Sequence, residues 1–171
     1  MTPALIMHWC AALLLVAMAS LAFIEAKTSS LIPKSLFLWP LSGFLFGLLA
    51  VLAPFMGKGH FSGKSTLLTL GIVAILASGQ AFLVNIRKIS RWPSGIVWLG
   101  FVLVGLYYQI PYSGMEEPLF QTFLRRLSGL VWIAVGVTKV ISEKTVSQEG
   151  SVPIWIMLLY VQAVLIASYP G

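Results

Sequence analysis

Few side chains in this sequence could carry proton transfer, metal ligation or nucleophilic attack, and they stand far apart. The acidic residues are Glu25, Glu116, Glu117, Glu143 and Glu149, and no Asp is present. All lie at the ends of apolar runs or between them, whereas a proton pump or a divalent-cation path needs carboxylates inside such runs. Glu116 and Glu117 are sequence neighbours, so on a helix their side chains diverge instead of forming a catalytic pair. His8 and His60 are the only histidines. Neither has a companion at helical spacing, which predicts no haem ligation. His8, beside Trp9 near the start of an apolar run, is expected as a polar tip at an interface. Cys10 is the single cysteine, which excludes a disulfide or a thiolate cluster within one chain. No Ser–His or Ser–Lys constellation stands out, and G-x-S-x-G is absent. The expectation is a chain with no cofactor, no metal and no catalysis of its own.

Residues 57–66, GKGHFSGKST, approach the phosphate-loop pattern G-x-x-x-x-G-K-[ST]. The first glycine of that pattern would fall at position 58, which is Lys58; Gly57 is one residue too far from Gly63 and Gly59 one too near. No Asp exists to help hold Mg²⁺, and the segment joins two apolar runs rather than a strand and a helix. It reads as a flexible, mildly basic turn.

The elements that must position these residues are apolar. Hydrophobic residues make up 58% of the chain and charged ones 9%, with a mean hydropathy of +0.94. Soluble domains carry roughly a quarter charged residues, so this composition lacks the polar surface needed in water. The 171 residues read as one integral membrane domain spanning 1–171. A membrane-crossing helix needs about 20 mostly apolar residues, with about 17 to 25 tolerated. Six runs meet or approach this, at 4–24, 36–56, 65–86, 93–111, 127–142 and 152–169, and predict an all-α, polytopic transmembrane bundle. The fifth run is short and holds Lys139, whose ammonium is expected to snorkel to the interface; without it five spans remain. No Lys or Arg precedes the first run, which reads as a retained helix rather than a cleaved signal.

In 115–126, MEEPLFQTFLRR, the residues Leu119, Phe120, Phe123, Leu124 and Leu127 recur at helical spacing. Acidic residues before Pro118 and Arg125–Arg126 after it match the helix dipole. Two arrangements fit: a short amphipathic helix along the membrane surface, or an extension of the fifth span. With six spans, the loops after the first, third and fifth carry Lys27, Lys34, Arg87, Lys88, Arg91, Lys139 and Lys144, against Lys58, Lys64, Arg125 and Arg126 opposite. The excess places the first group in the cytoplasm and both termini outside. The same loop chemistry accounts for the formal charge of +6, so nucleic acid is not an expected partner. No organellar targeting segment is visible, which suggests a bacterial inner membrane.

Gly43 and Gly47 form G-x-x-x-G in the second run and predict close helix packing inside the bundle. Amides in hydrocarbon must find partners, so Gln80, Gln162 and Gln109 are expected to face other helices, a lumen or a partner subunit. Leu41-Ser42-Gly43 reappears as Leu127-Ser128-Gly129, and Gln80-Ala81-Phe82-Leu83 is echoed by Gln162-Ala163-Val164-Leu165. Both echoes fall in corresponding members of two three-helix halves, the pattern of inverted repeats in transporters. The leading expectation is a non-catalytic accessory or structural subunit of an inner-membrane complex, with the bilayer and other membrane subunits or a second copy as partners. A small-solute transporter or channel built from three-plus-three halves comes second, and an integral membrane enzyme third.

Overall fold

The computed structural model describes residues 3–27, 38–56, 64–86, 95–111, 118–144 and 153–169. Among these, all regular structure is helical and no strand occurs: α1 (Pro3–Lys27), α2 (Leu38–Met56), α3 (Lys64–Asn85), α4 (Leu99–Tyr107), α5 (Leu119–Lys144) and α6 (Ile154–Ala167). Leu- and Ala-rich runs favour the helix intrinsically. Prolines mark its boundaries: Pro40 sits in the first turn of α2, where a missing N–H is harmless, and Pro153 is extended immediately before α6. A four-residue 3₁₀ turn, Gly95–Trp98, leads into α4. Three helices, α1 to α3, are long and apolar enough to cross a membrane, and the 3₁₀–α4 unit and α6 are shorter apolar helices.

The predicted surface helix and the fifth run are one element. α5 starts at Leu119 and continues without a break to Lys144, 26 residues or about 39 Å of rise. No proline interrupts it, and Arg125 fixes its early turns by donating to the Tyr108 and Ile110 carbonyls beyond α4 (2.5 and 2.7 Å). Residues 115–117 lie outside the described residues.

The helices form a ring in chain order: each packs on its predecessor, and α6 returns to pack on α1. Alternating chain direction gives the ring two ends. At one, which we call the termini end, Ser65 of α3 bonds Tyr107 of α4 (2.8 Å) and the Tyr169 hydroxyl donates to the Gln121 carbonyl (3.3 Å). At the other, the lysine end, Gly95 packs beside Glu143. Leu15, Met18, Phe46, Ala74, Phe101, Trp132, Val135 and Leu159 converge from all six helices on a small cavity of about 10 Å³, room for at most one water molecule. The outward faces are apolar as well: Leu13, Leu52, Leu76, Leu103, Leu130 and Val164 are all more than half exposed.

Glycine sets the distance between neighbours in two places. A Cβ on Gly47 would lie 2.9 Å from the Gly71 carbonyl oxygen, and one on Gly71 2.7 Å from that of Gly47, so α2 and α3 meet backbone to backbone. A Cβ on Gly129 would lie 2.7 Å from the Gly105 oxygen, giving α4 and α5 the same intimacy. Gly43 approaches Met18 of α1 and Ser78 of α3, whereas Gly129 and Gly136 approach α4. Gly43 and Gly129, paired by the sequence echo, thus both approach the preceding helix, and Gly43 approaches α3 as well. Replacing Gly47 or Gly129 with Ala is expected to cost about 1 to 3 kcal/mol through overpacking. Gly79→Ala, where nothing stands within 4 Å of the added methyl, is expected to be neutral or to stabilise by up to about 1 kcal/mol. Equilibrium unfolding of the three variants in detergent checks the contrast.

Candidate functional site

Three helical segments enter the bundle from the lysine end, and each begins with tryptophan close to its start: Trp39 in α2, Trp98 closing the 3₁₀ turn, and Trp155 in α6. Tryptophan at a helix start suits a membrane interface, yet all three are buried, with 1–5% of their surface exposed. Their rings form a compact triangle, with centroids 5.6 Å (Trp39–Trp155), 6.2 Å (Trp98–Trp155) and 6.3 Å (Trp39–Trp98) apart. Lys139, expected to snorkel outward, turns inward instead. Its Nζ lies 4.4 Å from the Trp155 ring centroid, 5.3 Å from Trp98 and 5.4 Å from Trp39. One turn further along α5, Glu143 pairs with the ammonium at 2.5 Å.

The energetics explain why both kinds of partner are present. Removing two charges from water carries a penalty of about several kcal/mol per ion, which an ion pair offsets only with good geometry and further polar support. Each desolvated cation–π contact contributes up to about 2 kcal/mol. The indole faces thus add to the stabilisation that Glu143 gives the charge. Gly95 makes room for this, since a Cβ there would stand 3.2 Å from the Glu143 Cβ.

Below the triangle the aromatic stack continues to the middle of the ring. Trp98 stacks on Phe101 (5.6 Å), Phe101 on Trp132 (4.9 Å), and Phe46 packs against Trp132 (6.1 Å). The two buried glutamines tie off the indole N–H groups of this column. Trp98 Nε1 donates to Gln80 Oε1 (2.7 Å). Gln162 adjoins Ser128, and with its amide oxygen toward Trp132 it accepts the Trp132 indole N–H at 3.0 Å and the Ser128 hydroxyl. Gln80 and Gln162 therefore face other helices, and their specific task, partnering tryptophan, is a pairing that sequence spacing did not contain. Gln109 belongs to the termini end, where its Nε2 donates to the Arg126 carbonyl (3.0 Å).

His8 also lies at the termini end, its ring 5.7 Å from that of Tyr169. His60 is outside the described residues, as are Glu116, Glu117, Glu149 and Lys58. Among the described residues no group of three His, Cys, Asp or Glu side chains could hold a metal ion. Cys10 is exposed on the outer face of α1. What the described residues do bring together is a caged positive charge near one end of an apolar ring, built from α2, α5, α6 and the turn before α4.

A double-mutant cycle tests this account. Lys139→Met and Glu143→Gln, each alone, are expected to cost about 3 to 5 kcal/mol, because each removes one partner of a buried ion pair. The double variant is expected to recover most of the loss, a coupling visible as non-additivity in unfolding free energies measured in detergent. Additive single effects would contradict a coupled buried pair. Comparison with protein-family models, with curated proteins and with solved structures finds no match for this chain, so its geometry carries the functional reading.

Proposed function

We propose that the chain is a multi-pass protein of a bacterial inner membrane, a non-catalytic accessory or structural subunit of a larger membrane assembly. The close packing of the described interior is the observation that carries this reading. Among the described residues, the cavity on which all six helices converge has a volume of about 10 Å³, and the Trp98 and Trp132 indole N–H groups and the Ser128 hydroxyl hydrogen-bond to the buried amides of Gln80 and Gln162. The apolar outer faces of α1 to α6 support burial in lipid, where every backbone group must be satisfied within its own helix. Orientation follows from the loop charges. With Lys139 and Arg125 engaged inside the bundle, the sequence in and beside the connections after α1, α3 and α5 still holds Lys27, Lys34, Arg87, Lys88, Arg91 and Lys144, against Lys58, Lys64 and Arg126 in and beside those after α2 and α4. That bias faces the lysine end to the cytoplasm and both termini away from it.

A transporter is the second reading, favoured by one observation: a charged pair and three indoles gathered from several helices near one mouth of the ring. Cysteine labelling separates the two. In a Cys10→Ser background, single cysteines at Gln80 and Gln162 are expected to resist membrane-impermeant maleimides in proteoliposomes, while a cysteine at Lys144 reacts. Brisk labelling at both glutamines would establish an aqueous path and remove the accessory-subunit reading.

A further inference from the structure

We propose that Trp39, Trp98, Trp155 and Glu143 form a binding site for a slender primary alkylammonium ion, and that Lys139 is its tethered occupant, holding the site shut. A lysine side chain is a butylammonium ion attached to a backbone. Its surroundings here are those a free amine requires: three ring faces within 4.4–5.4 Å of the nitrogen and a carboxylate at 2.5 Å. The Lys139–Glu143 pair needs only α5, because the residues are one turn apart on one helix. The three indoles come from three other segments and act on whatever positive charge occupies that point, whichever molecule supplies it.

Two further features bear on exchange. Lys139 lies five residues from Lys144, the last residue of α5, or about 7.5 Å of rise, so its flexible stem can carry the ammonium toward the lysine end. The pair is also not sealed: the Lys139 and Glu143 side chains keep 9% and 11% of their surface accessible. When Lys139 swings out it leaves the space its own unbranched chain filled, with three indole faces and a carboxylate around the position of the ammonium. That shape selects a primary amine with a linear chain of about four carbons, including one end of a linear diamine, over a branched or quaternary one. The apparent affinity is then the intrinsic affinity reduced by the fraction of molecules in which Lys139 is out.

The test uses the full chain in detergent, titrated with n-butylammonium, 1,4-diaminobutane and the neutral isostere n-butanol, with tryptophan fluorescence and thermal midpoint as readouts. Lys139→Ala is expected to bind both amines saturably, about 10- to 100-fold more tightly than the wild type, which binds with Lys139 displaced. Adding Glu143→Gln to that variant is expected to weaken binding about 10-fold or more, by removing a charge-assisted hydrogen bond. The proposal is overturned if folded Lys139→Ala ignores the amines, if n-butanol acts equally well, or if the wild type stays silent at saturating amine. Should Lys139→Ala fold poorly, restoration of monodisperse protein by butylammonium but not butanol, with a saturable wild-type response, supports the site; no restoration by the amine overturns it. Binding without solute flux leaves the accessory-subunit reading intact, so the two ideas fail separately.

Discussion

An ammonium group placed where water is scarce must be surrounded by groups that tolerate it, and meeting that requirement for Lys139 organises side chains from four of the six helices and from the 3₁₀ turn before α4. Trp39, Trp98 and Trp155 supply ring faces, Glu143 supplies the counter-charge, and Gln80 of α3 takes up the indole hydrogen of Trp98 so that the ring is held at a fixed orientation. Each of these partners brings its own demand. An indole turned inward leaves an N–H to satisfy, the Glu143 side chain packs tightly against Gly95 in the turn before α4, and the rings below stack to fill the space between helices. The polar and aromatic interior is thus a chain of obligations that begins at one charge.

The ring itself depends on two backbone-to-backbone seams, α2 against α3 through Gly47 and Gly71, and α4 against α5 through Gly105 and Gly129. In a bilayer, lipid tails are as apolar as leucine, so helix association rests on close van der Waals approach and on hydrogen bonds between helices. The seams supply the first and the glutamine–tryptophan pairs the second. α1 and α6 then close the circle with ordinary side-chain packing and the Ser20–Tyr160 hydrogen bond (2.8 Å).

The helical character and nearly every boundary were legible because an apolar run of fixed length leaves few alternatives in hydrocarbon. The runs at 36–56 and 65–86 correspond to Leu38–Met56 and Lys64–Asn85, and the G-x-x-x-G of α2 lies in a tight interhelical contact. The fifth run was underestimated because Arg125 and Arg126 look like a boundary; only the fold reveals that the Arg125 guanidinium finds carbonyls beyond α4. The cage was not legible at all. Lys139 and Glu143 have the spacing of an ordinary surface pair, and the tryptophans sit at three helix starts where an interfacial role suffices. Their convergence depends on which way the helices face, and closure of the ring fixes that.

The unequal lengths of the helices bear on the lipid around them. α6 has 14 residues and α4 nine beyond its 3₁₀ turn, so each rises only about 20 Å, well short of a hydrocarbon core of about 30 Å, while α5 between them exceeds it. Embedded as proposed, the molecule would press the bilayer thin beside α4 and α6, on either side of α5, and leave it at full thickness beside α1 to α3. A shape of that kind deforms its annulus of lipid asymmetrically, and relief of the mismatch draws the two short helices toward thinner membrane or toward another protein with a matching deficit.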